Sequence, residues 1–432
     1  MKTLVLLGVG STYFTKGIVE STIVKGGKWD IRMVDIDENC LDIAMNLGHK
    51  LVEKYDADIK ISGSTKREEM LTGADAIVST IGVGGRKAWE QDIYIFRDFN
   101  IYQATGDTYG AGGISRALRT IPEMLKIAAD IEKYCPDALL VNFTNPMSVC
   151  CWALNKYSKV KTIGLCYGVT WIQHSLAKLI DVPFEETWSK AIGLNHFTWI
   201  TDFTVNGKNA WPQVRKADKK PHGSYTWDLF EVFGAFPTVG DGHICEFVPG
   251  YQAKGAYNGK TFGVDAANNF TDYAKHWDDV FQDMADQAYG RKPLVEIEYN
   301  KSAETFHDED LFIDILSAFM GDGPPVERTI NLPNHGIVAG LPQDAILEVT
   351  TLVNSSGFHP YSYGSLPPGL NAIIQRIVAA QALTVEAAVS GDYNMVLQAL
   401  MADLTALTKE RAQQIADAIL KTHKDYLPNF FK

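Results

Sequence analysis

Lys2-Thr3-Leu4-Val5-Leu6-Leu7-Gly8-Val9-Gly10-Ser11 opens the chain with a β-rich apolar run, and glycines follow at the turn into a helical pattern. A strand that feeds a helix through glycines lets backbone N–H groups approach a pyrophosphate laid on the helix amino terminus. The third glycine of the usual fingerprint is absent, its place held by Tyr13. Asp35 ends the next β-rich run, 25 positions beyond Gly10; a carboxylate roughly 20 residues on is what meets the ribose 2′-hydroxyl. Gly8, Gly10, Ser11 and Asp35 therefore read as a dinucleotide cradle, with NAD+ favoured over its 2′-phosphorylated form. A plain glycine turn beside a strand-end aspartate is the competing reading.

Working outward, segments 2–7, 31–34, 59–62, 76–80, 139–142 and 161–165 read as strands that alternate with amphipathic helical stretches. That alternation is the pattern of an α/β, Rossmann-like doubly wound parallel sheet, whose ligands sit outside the carboxyl ends of the strands. From about residue 170 the alternation breaks. Residues 192–205 read as strand material, and a loop-rich stretch dense in Gly, Pro and aromatics runs to about 257. Helical periodicity returns at 270–289, 309–319, 370–389, 393–407 and 409–422. The expected organisation is a dinucleotide-binding domain over 1–169 and an α+β domain with carboxy-terminal helices over 170–432.

Composition narrows the class. At 432 residues, 46% hydrophobic and 21% charged, the chain matches an ordinary globular protein of two packed domains. A net charge of −12 argues against a nucleic-acid footprint. No apolar run in the sequence reads as a membrane span, and the amino terminus does not read as a secretion signal. Six cysteines without a CxxC pair read as reduced thiols. A cytoplasmic setting is expected, with no nucleic-acid or membrane partner.

Several loops carry candidate chemistry. Thr80-Ile81-Gly82-Val83-Gly84-Gly85-Arg86 leaves the fourth strand rich in glycine, placing Gly82 beside the cofactor. Asn142-Phe143-Thr144-Asn145-Pro146 leaves the fifth; the Asn145 carboxamide can both accept from and donate to sugar hydroxyls, and its bond to Pro146 is a candidate cis peptide. Gly110-Ala111-Gly112-Gly113, between Asp107 and Arg116, reads as a second cradle or as simple helix capping. Cys166 at a strand end and His196 from the second region form a thiolate–imidazole pair that suits a divalent transition metal, with positions left for substrate oxygens. Gly240-Asp241-Gly242-His243-Ile244-Cys245-Glu246-Phe247-Val248-Pro249-Gly250-Tyr251 could supply a general base or a further metal contact, or be a polar surface loop. Arg291 and Lys292 read as anion binders or solvated charges.

Taken together, Gly8–Ser11, the 106–113 glycine stretch, Asn142-Phe143-Thr144-Asn145-Pro146-Met147, Gly164-Leu165-Cys166, Gly193-Leu194-Asn195-His196-Phe197-Thr198-Trp199 and Asn331-Leu332-Pro333 resemble glycoside hydrolase family 4 over nearly the whole chain. Asn195-His196-Phe197-Thr198-Trp199-Ile200 with Gly240-Asp241-x-His243 is most similar to its α-galacturonidase branch. The resemblance implies NAD+ in the Gly8/Asp35 cradle, Mn2+ on Cys166 and His196, and sugar hydroxyls on Asn145 with Arg116 nearby. It implies hydrolysis without net redox: C3 oxidation, C2 deprotonation, elimination, then water addition and return of the hydride. Asp241 or Tyr251 would be the base, and Tyr167 or Asp107 the proton donor. Position 167 departs from the histidine, aspartate or asparagine that follows the metal cysteine in the family. The family also implies a small sugar or uronide substrate and a homodimer or homotetramer. The competing function is a 2-hydroxy acid dehydrogenase of the lactate or malate type, and a third is a redox-silent NAD sensor.

Overall fold

The computed structural model describes residues 1–11, 14–103, 105–217, 223–248, 251, 266–297 and 309–431. Tyr13, Pro249 and Gly250 lie outside the described residues. Six strands form the parallel half: β1 (Lys2–Leu7), β2 (Trp29–Val34), β3 (Ile59–Ser64), β4 (Ala76–Ser79), β5 (Leu139–Asn142) and β6 (Lys161–Gly164). Their order is β6-β5-β4-β1-β2-β3, with every neighbour parallel. This is the strand order of a doubly wound dinucleotide-binding sheet, with the reversal point between β1 and β4.

The sheet does not stop near residue 170. It continues through β7 (Thr187–Leu194), β8 (Phe197–Val205), β9 (Lys208–Asn209), β10 (Phe236–Pro237), β11 (Val326–Pro333), β12 (Ile346–Asn354) and β13 (Gly357–Pro360). β11 pairs antiparallel to β6, and the order runs on as β12, β7, β8, β10. Strands β11 to β13 correct the sequence reading, which placed no strand there. The stretch read as loop before residue 257 also holds the short helices Trp211–Lys216, Tyr225–Phe233 and Asp241–Phe247.

One row of paired residues crosses this sheet: Val34, Leu7, Ser79, Asn142, Gly164, Asn331, Glu348 and Gly193. In β2, β1, β4, β5 and β6 that residue is the last of its strand. Asp35, Gly8, Thr80, Phe143 and Leu165 consequently leave the sheet side by side, which explains why loops far apart in sequence share one edge. At the other end the row reaches Gly193, three positions before His196. A Cβ on Gly193 would lie 2.4 Å from the Phe197 carbonyl oxygen, so only glycine lets the hairpin close this tightly.

A buried carboxyl sits in that row. Glu348 is 1% exposed and accepts from Thr198 Oγ1 and from Asn331 Nδ2 at 3.0 Å. Burial pushes its carboxyl up to about 7, against the pull of those hydrogen bonds. A folded-state value raised above the unfolded one gives stability that is complete at low pH and is lost as pH rises through the folded value. Glu348→Gln mimics the neutral acid at every pH. The wild-type minus variant difference in Tm is expected to fall between about pH 5 and pH 8. Thermal melts showing a pH-independent difference would contradict a neutral Glu348.

The helix Pro368–Ser390 is long and apolar enough to cross a membrane by composition, at a mean hydropathy of 1.4, yet half of that stretch is buried inside the fold. Leu370, Ile374, Ile377 and Val378 join the main core, which extends without a break from β1 to Leu427. Arg291 and Lys292 are paired with Asp286 and Asp283.

Candidate active site

The amino-terminal cradle has the backbone its sequence demands. Gly8 has φ +91°, and a Cβ there would lie 3.1 Å from the backbone of Thr80 and Ile81. Gly10 donates its N–H to Asp35 Oδ2 at 2.7 Å, while Asp35 Oδ1 accepts from Asp37 N at 3.0 Å. The strand-end aspartate thus fixes the glycine turn. A cleft of about 420 Å3 opens here, lined by Gly10, Ser11, Gly82, Val83, Arg116 and Arg119 among others. Four sequence-predicted residues meet in it: Gly10, Ser11, Gly82 and Arg116. A hollow of about 560 Å3 lined by Lys25, Trp188, Asp314 and Arg328 holds none of them.

Beyond Arg116 the chain gathers its chemistry. Arg116 donates through Nε to the Asn145 carbonyl at 3.1 Å, across the cis Asn145–Pro146 bond that the sequence anticipated. Asn145 Nδ2 donates to Asp107 Oδ2 at 3.1 Å, and its Oδ1 is buried without a hydrogen-bond partner among the described residues. Asp107 Oδ1 accepts the Thr108 hydroxyl at 2.6 Å, and Thr108 Oγ1 lies 2.7 Å from His196 Nδ1. A hydroxyl has one proton. With that proton on the carboxylate, Nδ1–H of His196 donates to the hydroxyl, and the Nε2 lone pair is left for a ligand.

His196 occupies the two-residue turn between β7 and β8 with φ +65°, a left-handed conformation uncommon outside glycine and asparagine. The His243 ring packs against it at 4.0 Å between centroids, and His243 Nδ1 is buried without a hydrogen-bond partner among the described residues. Burial drives both imidazoles toward the neutral form: His196 falls to about 3, with His243 adding to the effect and Asp107 opposing it, and His243 falls against the same opposing carboxylate. Burial acts to raise Asp107, but Arg116, His243 and His196 outweigh it, and the net shift is downward. One ligand atom from each of Asp107, His196 and His243 lies within 4.8 Å of the others. A carboxylate and two neutral imidazoles, one of them oriented by a hydroxyl, fit a divalent transition ion.

The sequence paired His196 with Cys166, and the structure gathers Asp107 and His243 about His196. Cys166 stands on the turn after β6, half-buried, with the Leu165 N–H on the Asn142 carbonyl at 3.1 Å. A Cβ on Gly168 would lie 2.4 Å from Val239 Cγ2, so the cysteine turn packs against the loop that leads into Asp241 and His243. Tyr167 is buried with its ring 5.7 Å from that of Phe143. Asp241–Phe247 is a helix rather than a surface loop. Asp241, at its start, accepts through Oδ1 from Ser224 Oγ, Thr226 N and Thr226 Oγ1. Tyr251 stacks on Tyr225 at 4.1 Å, and burial, then Asp228, Cys245 and Asp241, raise its phenol.

Two side chains given no part in the sequence reading build this site. Thr108 orients His196 and joins it to Asp107. Gln103 accepts the Gly112 N–H at 2.7 Å, and Glu246 accepts from Thr105 N at 2.9 Å, from Gly106 N and from Tyr109 N. The 110–113 cradle is therefore capped from within the chain. Glu246, read as a possible base, is a loop anchor; burial and the Asp107 charge raise it to about 8 against those backbone donors.

The family 4 glycosyl hydrolase model matches residues 3–182, and the model of the family's C-terminal domain matches 191–406. An α-galacturonidase of Bacillus subtilis is 30% identical, covering 82% of this chain and 82% of that protein. An α-galactosidase of the same organism is 27% identical over the full length of both. A crystal structure of a 6-phospho-α-glucosidase from gut microorganisms, in complex with NAD and Mn2+, superposes with a TM-score of 0.82 at 20% identity, covering 99% of each chain. A malate dehydrogenase from Plasmodium falciparum shares the fold more distantly, with a TM-score of 0.53, 14% identity, and 90% of this chain and 99% of that one covered.

Proposed function

Because this chain belongs to glycosyl hydrolase family 4, we propose that it is an NAD- and Mn2+-dependent glycosidase of small α-glycosides, with α-galacturonides favoured. One connected path carries the reading: the cleft residue Arg116 bonds Asn145, Asn145 bonds Asp107, and Asp107 is linked through Thr108 to His196 and His243. A cofactor groove and a metal-type donor cluster are thus joined through Arg116 and Asn145, where a sugar would sit. The dehydrogenase alternative has only the distant likeness of its sheet to support it.

In this reading bound NAD+ supplies a hydride acceptor and donor, and Mn2+ supplies charge stabilisation for sugar oxygens. The chain does the rest. Gly8, Gly10, Ser11, Asp35 and Gly82 hold the dinucleotide. Cys166 and His196, with Asp107 and His243 beside them, hold the metal. The orphan Asn145 Oδ1 accepts a sugar hydroxyl, a group that otherwise stays unsatisfied at a cost of about 1–3 kcal/mol. Arg116 offers its remaining donors to hydroxyl or uronate oxygens. Asp241 is the base at C2, with Tyr251 as the alternative, and Tyr167 or Asp107 protonates the leaving group. The six cysteines form no disulfide with one another, which supports a reducing, cytoplasmic setting.

The test is hydrolysis of aryl α-galacturonide and α-galactoside by enzyme stripped of both cofactors and then reconstituted under reductant. Turnover is expected only with NAD+ and Mn2+ together, and without accumulation of NADH. Full activity in the stripped enzyme, or steady NADH formation from 2-hydroxy acids, would overturn the assignment.

A further inference from the structure

Beside the cofactor cleft lies a set of buried ionisable side chains. Arg119 is 2% exposed, and Asp92 and His423 are fully buried. Arg119 Nη2 bonds Asp92 Oδ2 at 2.5 Å. The other oxygen, Asp92 Oδ1, takes the Ser115 hydroxyl at 2.6 Å and stands 2.8 Å from His423 Nε2. Arg119 Nε donates to the Val83 carbonyl at 3.0 Å, pinning the loop that follows β4. Two arms of the guanidinium are thereby committed. Nη1 is buried without a hydrogen-bond partner among the described residues, on a side chain that lines the cleft.

An unsatisfied donor on a buried cation is costly, and proteins keep such groups where a ligand completes them. The position selects the ligand. The cleft runs from Gly10 and Ser11, on the turn that Asp35 holds and that suits the adenosine ribose and the pyrophosphate, past Gly82 and Val83 to Arg116, which bonds Asn145. Arg119 lies at the Val83 end, one helical turn beyond Arg116. We propose that Arg119 Nη1 donates to an acceptor oxygen on the nicotinamide-bearing half of the bound dinucleotide. Asp92 and His423 act through it as positioning residues. This rests on the NAD assignment above and adds a residue that neither the glycine turn nor the metal cluster contains. It also ties His423, just past the helix Lys409–Thr422, to cofactor orientation.

Calorimetric binding of NAD+, ADP-ribose and AMP to the full-length protein tests this. The variants are Arg119→Lys, which keeps a charge for Asp92 but loses the fork, and the double variant Arg119→Met/Asp92→Asn, which removes both buried charges. In both, NAD+ affinity is expected to fall roughly 10- to 100-fold, the weight of one hydrogen bond to a charged donor, while AMP affinity and Mn2+ binding by electron paramagnetic resonance stay at the wild-type level. A parallel loss for ADP-ribose places the acceptor on phosphate or ribose; retention of ADP-ribose places it on the carboxamide. Unchanged NAD+ affinity in both variants, or AMP affinity falling in step with that of NAD+, overturns the proposal. A wild-type protein that binds no NAD+ refutes the assigned function instead.

Discussion

His196→Ala is expected to abolish Mn2+ retention and to lower glycoside turnover by roughly three orders of magnitude or more, since metal stabilisation of developing charge is worth several kcal/mol and each 1.36 kcal/mol is tenfold in rate. The geometry concentrates the effect there. His196 is the member of the cluster whose tautomer is set from behind, by Thr108 at 2.7 Å, and whose turn is locked by the Gly193 hairpin. Alanine leaves Asp107 and His243 facing each other without the oriented lone pair between them. NAD+ binding should survive, because Gly8, Gly10, Ser11 and Asp35 stand on the loops that follow strands β1 and β2, and the hydrogen bonds that join Gly10, Asp35 and Asp37 do not pass through His196. Thr108→Val separates orientation from ligation: the imidazole stays but loses its partner, and a loss of about 10- to 100-fold in metal affinity is the usual weight of such a supporting hydrogen bond. Metal titration of the two variants with Cys166→Ser and His243→Ala ranks the donors. A His196→Ala protein that still needs and holds Mn2+ would remove the centre from the proposed site.

Why some of this could be read from residues alone, and some not, follows from where polar groups are buried. The parallel half was legible because its strands are short β-rich runs, four of them punctuated at or just past their ends: Gly8 after β1, Asp35 after β2, and Asn142 and Gly164 closing β5 and β6. Strands β11 and β12 were not, because Asn331 and Glu348 interrupt their apolar pattern with polar residues that face each other inside the sheet rather than solvent. The Asp241–Phe247 helix was hidden by Gly240 and Gly242, which read as loop, although its last four residues, Ile244, Cys245, Glu246 and Phe247, are all buried. At the site, His196 was visible as an unusual histidine in a strand-like run. The 240–251 segment was read as a possible further metal contact, but the packing of His243 itself on His196 was not legible, since it depends on two distant segments that no spacing brings together. Arg119 and Asp92 gave no signal because a helix-borne arginine and aspartate ordinarily face water.

Asp241→Asn is expected to lower kcat by roughly 10²- to 10⁴-fold, the range of a lost general base, with small change in KM or in NAD+ and Mn2+ binding. The substitution is informative because it separates the proposed proton acceptor from a fold contact. Through Oδ1 the carboxylate collects Ser224 and Thr226, closing the turn that starts the Tyr225–Phe233 helix. Asparagine keeps an acceptor in that place and replaces only the second oxygen, so the fold contact survives while proton acceptance is lost. Tyr251 is the weaker candidate on electrostatic grounds. Burial and the charges of Asp228 and Asp241 hold its phenol up, making the phenolate a base must form more costly. Tyr251→Phe should accordingly leave exchange of the sugar C2 proton with solvent deuterium near the wild-type rate, and Asp241→Asn should nearly stop it. Exchange retained in Asp241→Asn and lost in Tyr251→Phe would transfer the role to the tyrosine. In that case Asp241 would be a capping group whose charge serves only to shape the wall on which His243 is mounted.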